Sequence, residues 1–234
     1  MTKITLIRHP ESEANAQHLI AWRADVSVSY YGKRTAQIFA QYYKWQFDDH
    51  IVATWSKQRY KDLVKCLVEN NDIPVIIYDQ RLNERSFWMF TDTTKTELIK
   101  QLQKDHKQHE AIWDNFSLWM DQELYDSQWN LLFEYNELLN QQNNMILWEI
   151  HQQYPWENIL IQTSTGRIRS LLSVILHKTP QEIDTILPNN KVPNLSRTDL
   201  FFDEEKQLWW VDEKKVTYID KELQDFFDDL RKSL

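Results

Sequence analysis

Residues 3–15 read Lys3-Ile4-Thr5-Leu6-Ile7-Arg8-His9-Pro10-Glu11-Ser12-Glu13-Ala14-Asn15, and the change of character inside this stretch decides the fold. Ile4 to Ile7 is an apolar run suited to a buried strand and too short for a signal peptide or a membrane span. Charged and polar residues follow at once, which places Arg8 and His9 at the strand's carboxyl end. Farther along, Ala36, Phe39, Ala40, Tyr43 and Phe47 recur at the spacing of one helical face. Ile51 to Thr54 then reads as a second strand. Tyr60, Leu63, Val64, Leu67 and Val68 mark another helical stripe, and Pro74 to Tyr78 a third strand. Strand–helix–strand units of this length predict a parallel sheet covered by helices, with ligand chemistry at the carboxyl ends of its strands.

From about Thr94 to Gln153 the chain lacks Pro and Gly, and Gln, Asn, Lys and Glu are interspersed with Trp113, Phe116, Trp119, Trp129 and Trp148. This composition predicts a helical insertion. Its aromatics either form the insertion's own core and its seam with the sheet or line a lid over a ligand. The sheet pattern resumes with a strand at Asn158 to Gln162 and a helix carrying Ile168, Leu171, Leu172 and Ile175. Strands at Thr198 to Phe202 and Leu208 to Val211 follow, joined by a charged turn. A final helix from about Lys221 is expected to pack both Phe226 and Phe227. The expectation is one α/β domain over residues 1–234, a three-layer sandwich with a mainly parallel sheet, helices on both faces, and a helical insertion at about 94–153 over the carboxyl edge.

Composition narrows the function. At 234 residues the chain can bury a large core without a staple. Its 2 glycines rule out glycine-rich loops that cradle phosphate with backbone, so any phosphate must be held by side chains. With 27 basic and 35 acidic residues the net charge is -8, which argues against a nucleic-acid surface while leaving room for one basic pocket. Cys66 stands alone, which excludes disulfides and cysteine metal sites, suits a reducing cytoplasm, and sits among apolar positions where an inert thiol is expected.

An Arg-His pair at a strand end means little by itself, since most such histidines are structural. The context changes this. Leu6-Ile7-Arg8-His9-Pro10-Glu11-Ser12-Glu13-Ala14-Asn15 resembles the opening signature Leu-x-Arg-His-Gly-Glu-Ser-x-x-Asn of the histidine phosphatase superfamily, the group of cofactor-dependent phosphoglycerate mutases and fructose-2,6-bisphosphatase. Asp25, Ser29, Gly32 and Ala36 fall at the family's spacing. Gln58-Arg59 resembles its second arginine segment, Leu82-Asn83-Glu84-Arg85 with Phe87 its proton-donor loop, and Ile168-Arg169 and Val192-Pro193-Asn194 its later landmarks.

The resemblance implies phosphomonoester hydrolysis without a cofactor. Arg8, Arg59 and Asn15 would hold the phosphate, His9 would take the phosphoryl group, and Glu84 would protonate the leaving oxygen. The chemistry is sound, because a phosphate ester repels nucleophiles until positive groups surround its oxygens. The substrate is expected to be a phosphorylated small molecule or a phosphoprotein.

This sequence also departs from the family. Ser164-Thr165-Gly166 stands where the family has His-Gly-Gly, so Ser164 replaces the second histidine at the phosphate. Losing such a donor typically costs on the order of 100- to 1,000-fold in rate. Two readings therefore stay open, a phosphatase of reduced or unusual activity and a pseudophosphatase that binds phosphate without turnover. Pro10 replaces a glycine, Trp55 and Ser56 replace Ser-Pro, and Ala21-Trp22 replace the Thr-Gly pair of the mutases, which argues against mutase activity. Trp22 is either a cap over the site or a structural residue. His106 and His109 have a spacing that can bind metal, but they lie in a solvated charged run, and no metal is expected there.

Overall fold

The computed structural model describes residues 1–20, 25–84, 93–106, 124 and 136–234. Ala21, Trp22, Arg85, Phe87, His109, Trp113, Phe116, Trp119 and Trp129 lie outside the described residues.

A six-stranded sheet has the order β4-β3-β6-β1-β7-β8, with β1 at Lys3–Arg8, β3 at Ile51–Thr54, β4 at Val75–Tyr78, β6 at Asn158–Thr163, β7 at Arg197–Asp203 and β8 at Leu208–Val211. The β1–β6, β6–β3 and β3–β4 pairs are parallel, while β7 runs antiparallel to both β1 and β8. The sheet is thus mixed and mostly parallel, as expected. A separate two-stranded ladder joins β2 at Leu19–Ile20 to β5 at Thr93–Thr94, and ties the start of the long helical stretch to the segment after β1.

Alternation along the strands divides the core into two layers. Ile4, Leu6, Ile159 and Ile161 pack with Ile146, Leu147, Ile168, Leu171 and Leu172. These last residues come from helices α5 at Asn136–Gln153 and α6 at Thr165–Leu176. Ile7, Val52 and Leu160 face the opposite way, against Phe39, Ala40, Leu63, Leu67, Leu223 and Phe227. That layer is built from α2 at Tyr30–Tyr42, α3 at Gln58–Asn70 and α8 at Lys221–Ser233. Helix α5 closes the stretch read as an insertion, and it is a layer of the main fold. The stretch opens with α4 at Lys95–Asp105, whose Thr94 and Glu97 form a capping box. Short helices α1 at Glu13–Ala16 and α7 at Pro180–Ile186 complete the described set.

Two packing expectations are corrected. Phe226 is 52% exposed while Phe227 is buried. Adjacent helical residues point about 100° apart, so the inward stripe of α8 runs from Leu223 to Phe227 and leaves Phe226 outside. Val68 is 43% exposed, because the stripe Tyr60, Leu63, Val64 and Leu67 already fills the contact of α3 with the sheet. Helix α2 ends at Tyr42, so Tyr43 and Phe47 reach the core from the turn beyond it. Among the described residues no helix is long and apolar enough to cross a membrane.

Candidate active site

The register places Arg8 beside Thr163 at the paired ends of β1 and β6, so His9 and Ser164 follow side by side. The His9 backbone N–H continues the ladder by donating to the Thr163 carbonyl at 2.9 Å. The buried imidazole holds its Nδ1 2.7 Å from the Pro10 carbonyl. A carbonyl can only accept, so Nδ1 carries the hydrogen and Nε2 carries the lone pair. Burial, then the charges of Arg8 and Arg59, hold the His9 pKa well below 6.5. The ring is therefore neutral at physiological pH, with its nucleophilic nitrogen defined.

Positive charge surrounds it. Arg8, the last residue of β1, is half-buried and donates through Nη1 to the Val192 carbonyl. Burial lowers its pKa to about 10, with Glu84, Tyr60 and Glu11 pulling in the opposite sense, so it stays charged at neutral pH. Arg59 enters from the first turn of α3, also buried, and its Nη2 donates to Asn83 Oδ1 at 3.3 Å. The Tyr60 ring stands edge-on to His9, with centroids 5.5 Å apart. The same ring lies under the Arg59 guanidinium at 5.1 Å. Helix α3 has no cap from its own Lys57. Asp25 substitutes for it, accepting from the Gln58 N–H at 2.6 Å.

Glu84 follows a one-turn 3-10 helix at Gln80–Leu82, which the Thr163 hydroxyl fixes by donating to the Leu82 carbonyl at 2.5 Å. Its Oε1 accepts from the Gly166 N–H at 3.1 Å, in the first turn of α6. Ser164 is the N-cap of α6, yet its hydroxyl makes no capping bond and has no partner among the described residues.

The loop after His9 is tied down on every side. Asn194 Nδ2 donates to the His9 carbonyl at 2.7 Å. Glu11 accepts from the Ser29 hydroxyl at 2.8 Å and from Arg231 of α8 at 2.7 Å. Asn15 and Ser12 form a reciprocal cap on α1, with Asn15 Oδ1 accepting from the Ser12 N–H at 3.3 Å. Only the NH2 of Asn15 then remains for an anion. Beside Arg8 opens a cleft of about 1080 Å³ lined also by Thr165, Arg169, Lys191 and Asn194. Among the described residues no group of three His, Cys, Asp or Glu could hold a metal.

A family model of the histidine phosphatase superfamily (branch 1) matches residues 4–212. The chain belongs to this superfamily. A search of curated proteins gives no significant match. Among solved structures, Bacillus stearothermophilus YhfR superimposes with a TM-score of 0.75 at 18% identity, over 94% of this chain and 98% of that one. Phosphoserine phosphatase of Entamoeba histolytica, in complex with 3-phosphoglyceric acid, gives 0.68 at 18% identity over 90% and 95%. A mycobacterial glucosyl-3-phosphoglycerate phosphatase with VO3 gives 0.68 at 16% over 90% and 97%. At these identities the likeness establishes the shared histidine phosphatase fold.

Of the residues singled out in sequence, Arg8, His9, Arg59, Glu84 and Ser164 converge on the carboxyl ends of β1 and β6. Asn15 is held by its cap nearby. Sequence reasoning missed Tyr60 and Asn83. Tyr60 lies on the helical stripe assigned to the core, and Asn83 sits unremarked next to Glu84, although a polar residue beside a candidate acid is a usable signal.

Proposed function

We propose that the protein hydrolyses phosphomonoesters through a phosphohistidine on His9. The observation that carries this reading is the buried, neutral His9, its Nδ1–H fixed on the Pro10 carbonyl, between Arg8 and Arg59. The arginines draw in the phosphate and neutralise its oxygens. The Nε2 lone pair attacks phosphorus while the ester P–O bond breaks, and protonated Glu84 gives its proton to the leaving oxygen. The ring is cationic once phosphorylated, and the Pro10 carbonyl dipole facing Nδ1–H favours that charge. Water then attacks phosphorus, Glu84 takes the proton back, and the P–N bond breaks to release inorganic phosphate.

Structural relatives described as phosphatases of phosphoserine and of glucosyl-3-phosphoglycerate support a small phosphorylated substrate, with a phosphoprotein as the other candidate. Ala21-Trp22, in place of the mutases' Thr-Gly, supports hydrolysis over phosphoryl transfer between substrates. The lone Cys66, its thiol pKa raised by burial, fits a reducing cytoplasm.

Ser164 favours a second reading, a pseudophosphatase that binds phosphorylated ligands without turnover. The test is release of phosphate from an aryl phosphate by wild type and His9→Ala, together with trapping of an acid-labile phosphoenzyme. Turnover that His9→Ala abolishes supports the phosphatase. Tight phosphate binding with no turnover and no phosphoenzyme supports the pseudophosphatase.

A further inference from the structure

Beneath His9 and Ser164 lies a row of side chains that the reaction above does not use. Ile7 of β1 pairs with Gln162 of β6, and Ala53 of β3 pairs with Ile161, so the next step along β3 sets Thr54 beside Gln162. Ile7 and Leu160 on this face belong to the apolar layer under α2 and α3. A carboxamide here is out of place: Gln162 is 0% exposed, in a row whose other members are also fully buried. Its Oε1 accepts from the Thr54 hydroxyl at 3.2 Å. Its Nε2 has no hydrogen-bond partner among the described residues.

Buried amide donors are almost always paired, because leaving one unmade forfeits its hydration. The neighbours of Gln162 share its condition. Strand alternation puts Ser164, two residues on, on the same face, and its buried hydroxyl is unpartnered as well. Nε of Arg8 is unpartnered among the described residues too, but Arg8 pairs with Thr163 and so leaves the opposite face of the sheet. The Gln162 and Ser164 donors lie on the face of the sheet that also carries Ile7, at the strand end where the family's second imidazole is missing. One species answers both at once, an acceptor with several oxygens and negative charge.

We propose that Gln162 is a phosphoryl-binding residue, whose amide N–H acts with the Ser164 hydroxyl to supply the hydrogen bonds that the absent histidine would make. Two residues along a strand advance about 6.6 Å, a step that the two methylenes and amide of Gln largely span. Serine at 164 fills less volume than the imidazole of the family, on the same face as Gln162. The Thr54 hydroxyl holds the amide oxygen, so that the nitrogen, and not the oxygen, is offered to the anion. A cradle of this kind supplies hydrogen bonds without charge, and its affinity for phosphate does not follow the titration of a second imidazole.

The inference rests on the phosphohistidine reading, and the experiment separates the two. Vanadate and inorganic phosphate affinities, aryl phosphate turnover and melting temperature are measured for wild type, Gln162→Met and Gln162→Glu. Methionine keeps the length of the side chain and suits the apolar row, so Gln162→Met should melt no lower than wild type. It should bind vanadate and phosphate at least 10-fold more weakly and turn over 10- to 100-fold more slowly. In Gln162→Glu, a carboxylate in the cradle should abolish phosphate binding at neutral pH and restore part of it as the pH falls. Wild-type affinity and turnover in either folded variant would overturn the role of Gln162 and leave the phosphohistidine reading intact. A wild-type protein that binds neither vanadate nor phosphate would overturn both.

Discussion

Gly32 lies directly beneath the backbone of Glu11: a Cβ at position 32 would stand 2.1 Å from the Glu11 carbonyl oxygen and 2.6 Å from Val28. The need for glycine is close approach and not backbone freedom. Helix α2 presses its first turn against the loop that carries His9 and Pro10, with Ser29 as its N-cap, accepting from the Gly32 N–H at 3.0 Å. Gly32→Ala must push the loop away, at a cost of about 1–3 kcal/mol for overpacking. The expected result is a lower melting temperature together with weaker phosphate binding, measured by thermal unfolding and calorimetry.

Arg59→Ala should remove a charge-assisted hydrogen bond to the phosphate, worth about 1.5–3 kcal/mol. That corresponds to roughly 10- to 150-fold in affinity. Calorimetry with inorganic phosphate checks it, and equal affinity in the variant would remove Arg59 from the site.

Protonation of His9 sets a pH dependence of stability. Its pKa in the fold lies well below the ordinary 6.5, so below that pH the unfolded chain binds a proton that the fold refuses. Stability from this residue is complete above about pH 6.5 and is lost as the pH falls toward the depressed value. Buried His50 acts in the same sense. His9→Gln should therefore flatten only part of the decline in melting temperature between pH 7 and 5. A decline identical to wild type would show that His9 is already solvated.

Placing an imidazole at position 164 is the most direct test of the weakened-phosphatase reading. Ser164→His should add a charge-assisted hydrogen bond of about 1.5–3 kcal/mol in the transition state. Aryl phosphate turnover should rise roughly 10- to 100-fold, since each 1.36 kcal/mol is tenfold. The gain must vanish in the double variant with His9→Ala. A stable Ser164→His protein that binds phosphate and remains inactive would sink the phosphatase reading in favour of the pseudophosphatase.

The layers of this fold were legible in the sequence because they rest on local periods. Ile4 to Ile7, the stripe from Tyr60 to Leu67 and the apolar positions of α6 all announce their faces. The candidate site was legible where it coincided with a contiguous motif, as at Arg8-His9. What stayed hidden depends on contacts between distant segments. Glu84 meets Gly166 across a separation of 82 residues, and Arg231 meets Glu11 across 220. The stripe that identified Tyr60 as a core residue marks an inward face, and it carries no information on whether that face ends against an aliphatic side chain or the His9 imidazole. Phe226 failed for the converse reason, since hydrophobicity alone overrode the 100° step between neighbours.

The β1–β6 register also fixes when the candidate site comes into being. Arg8 and His9 leave the ribosome more than 150 residues ahead of their partners Thr163 and Ser164. Until β6 slides between β1 and β3, both of those strands keep a bare edge, and the nascent chain holds a cationic residue and a histidine with nothing opposite them. Pairing at such a separation is slow, because a long loop must close before any contact forms. Strand β6, flanked by β1 and β3, is therefore the piece that joins the two halves of the sheet and assembles the candidate site in the same step.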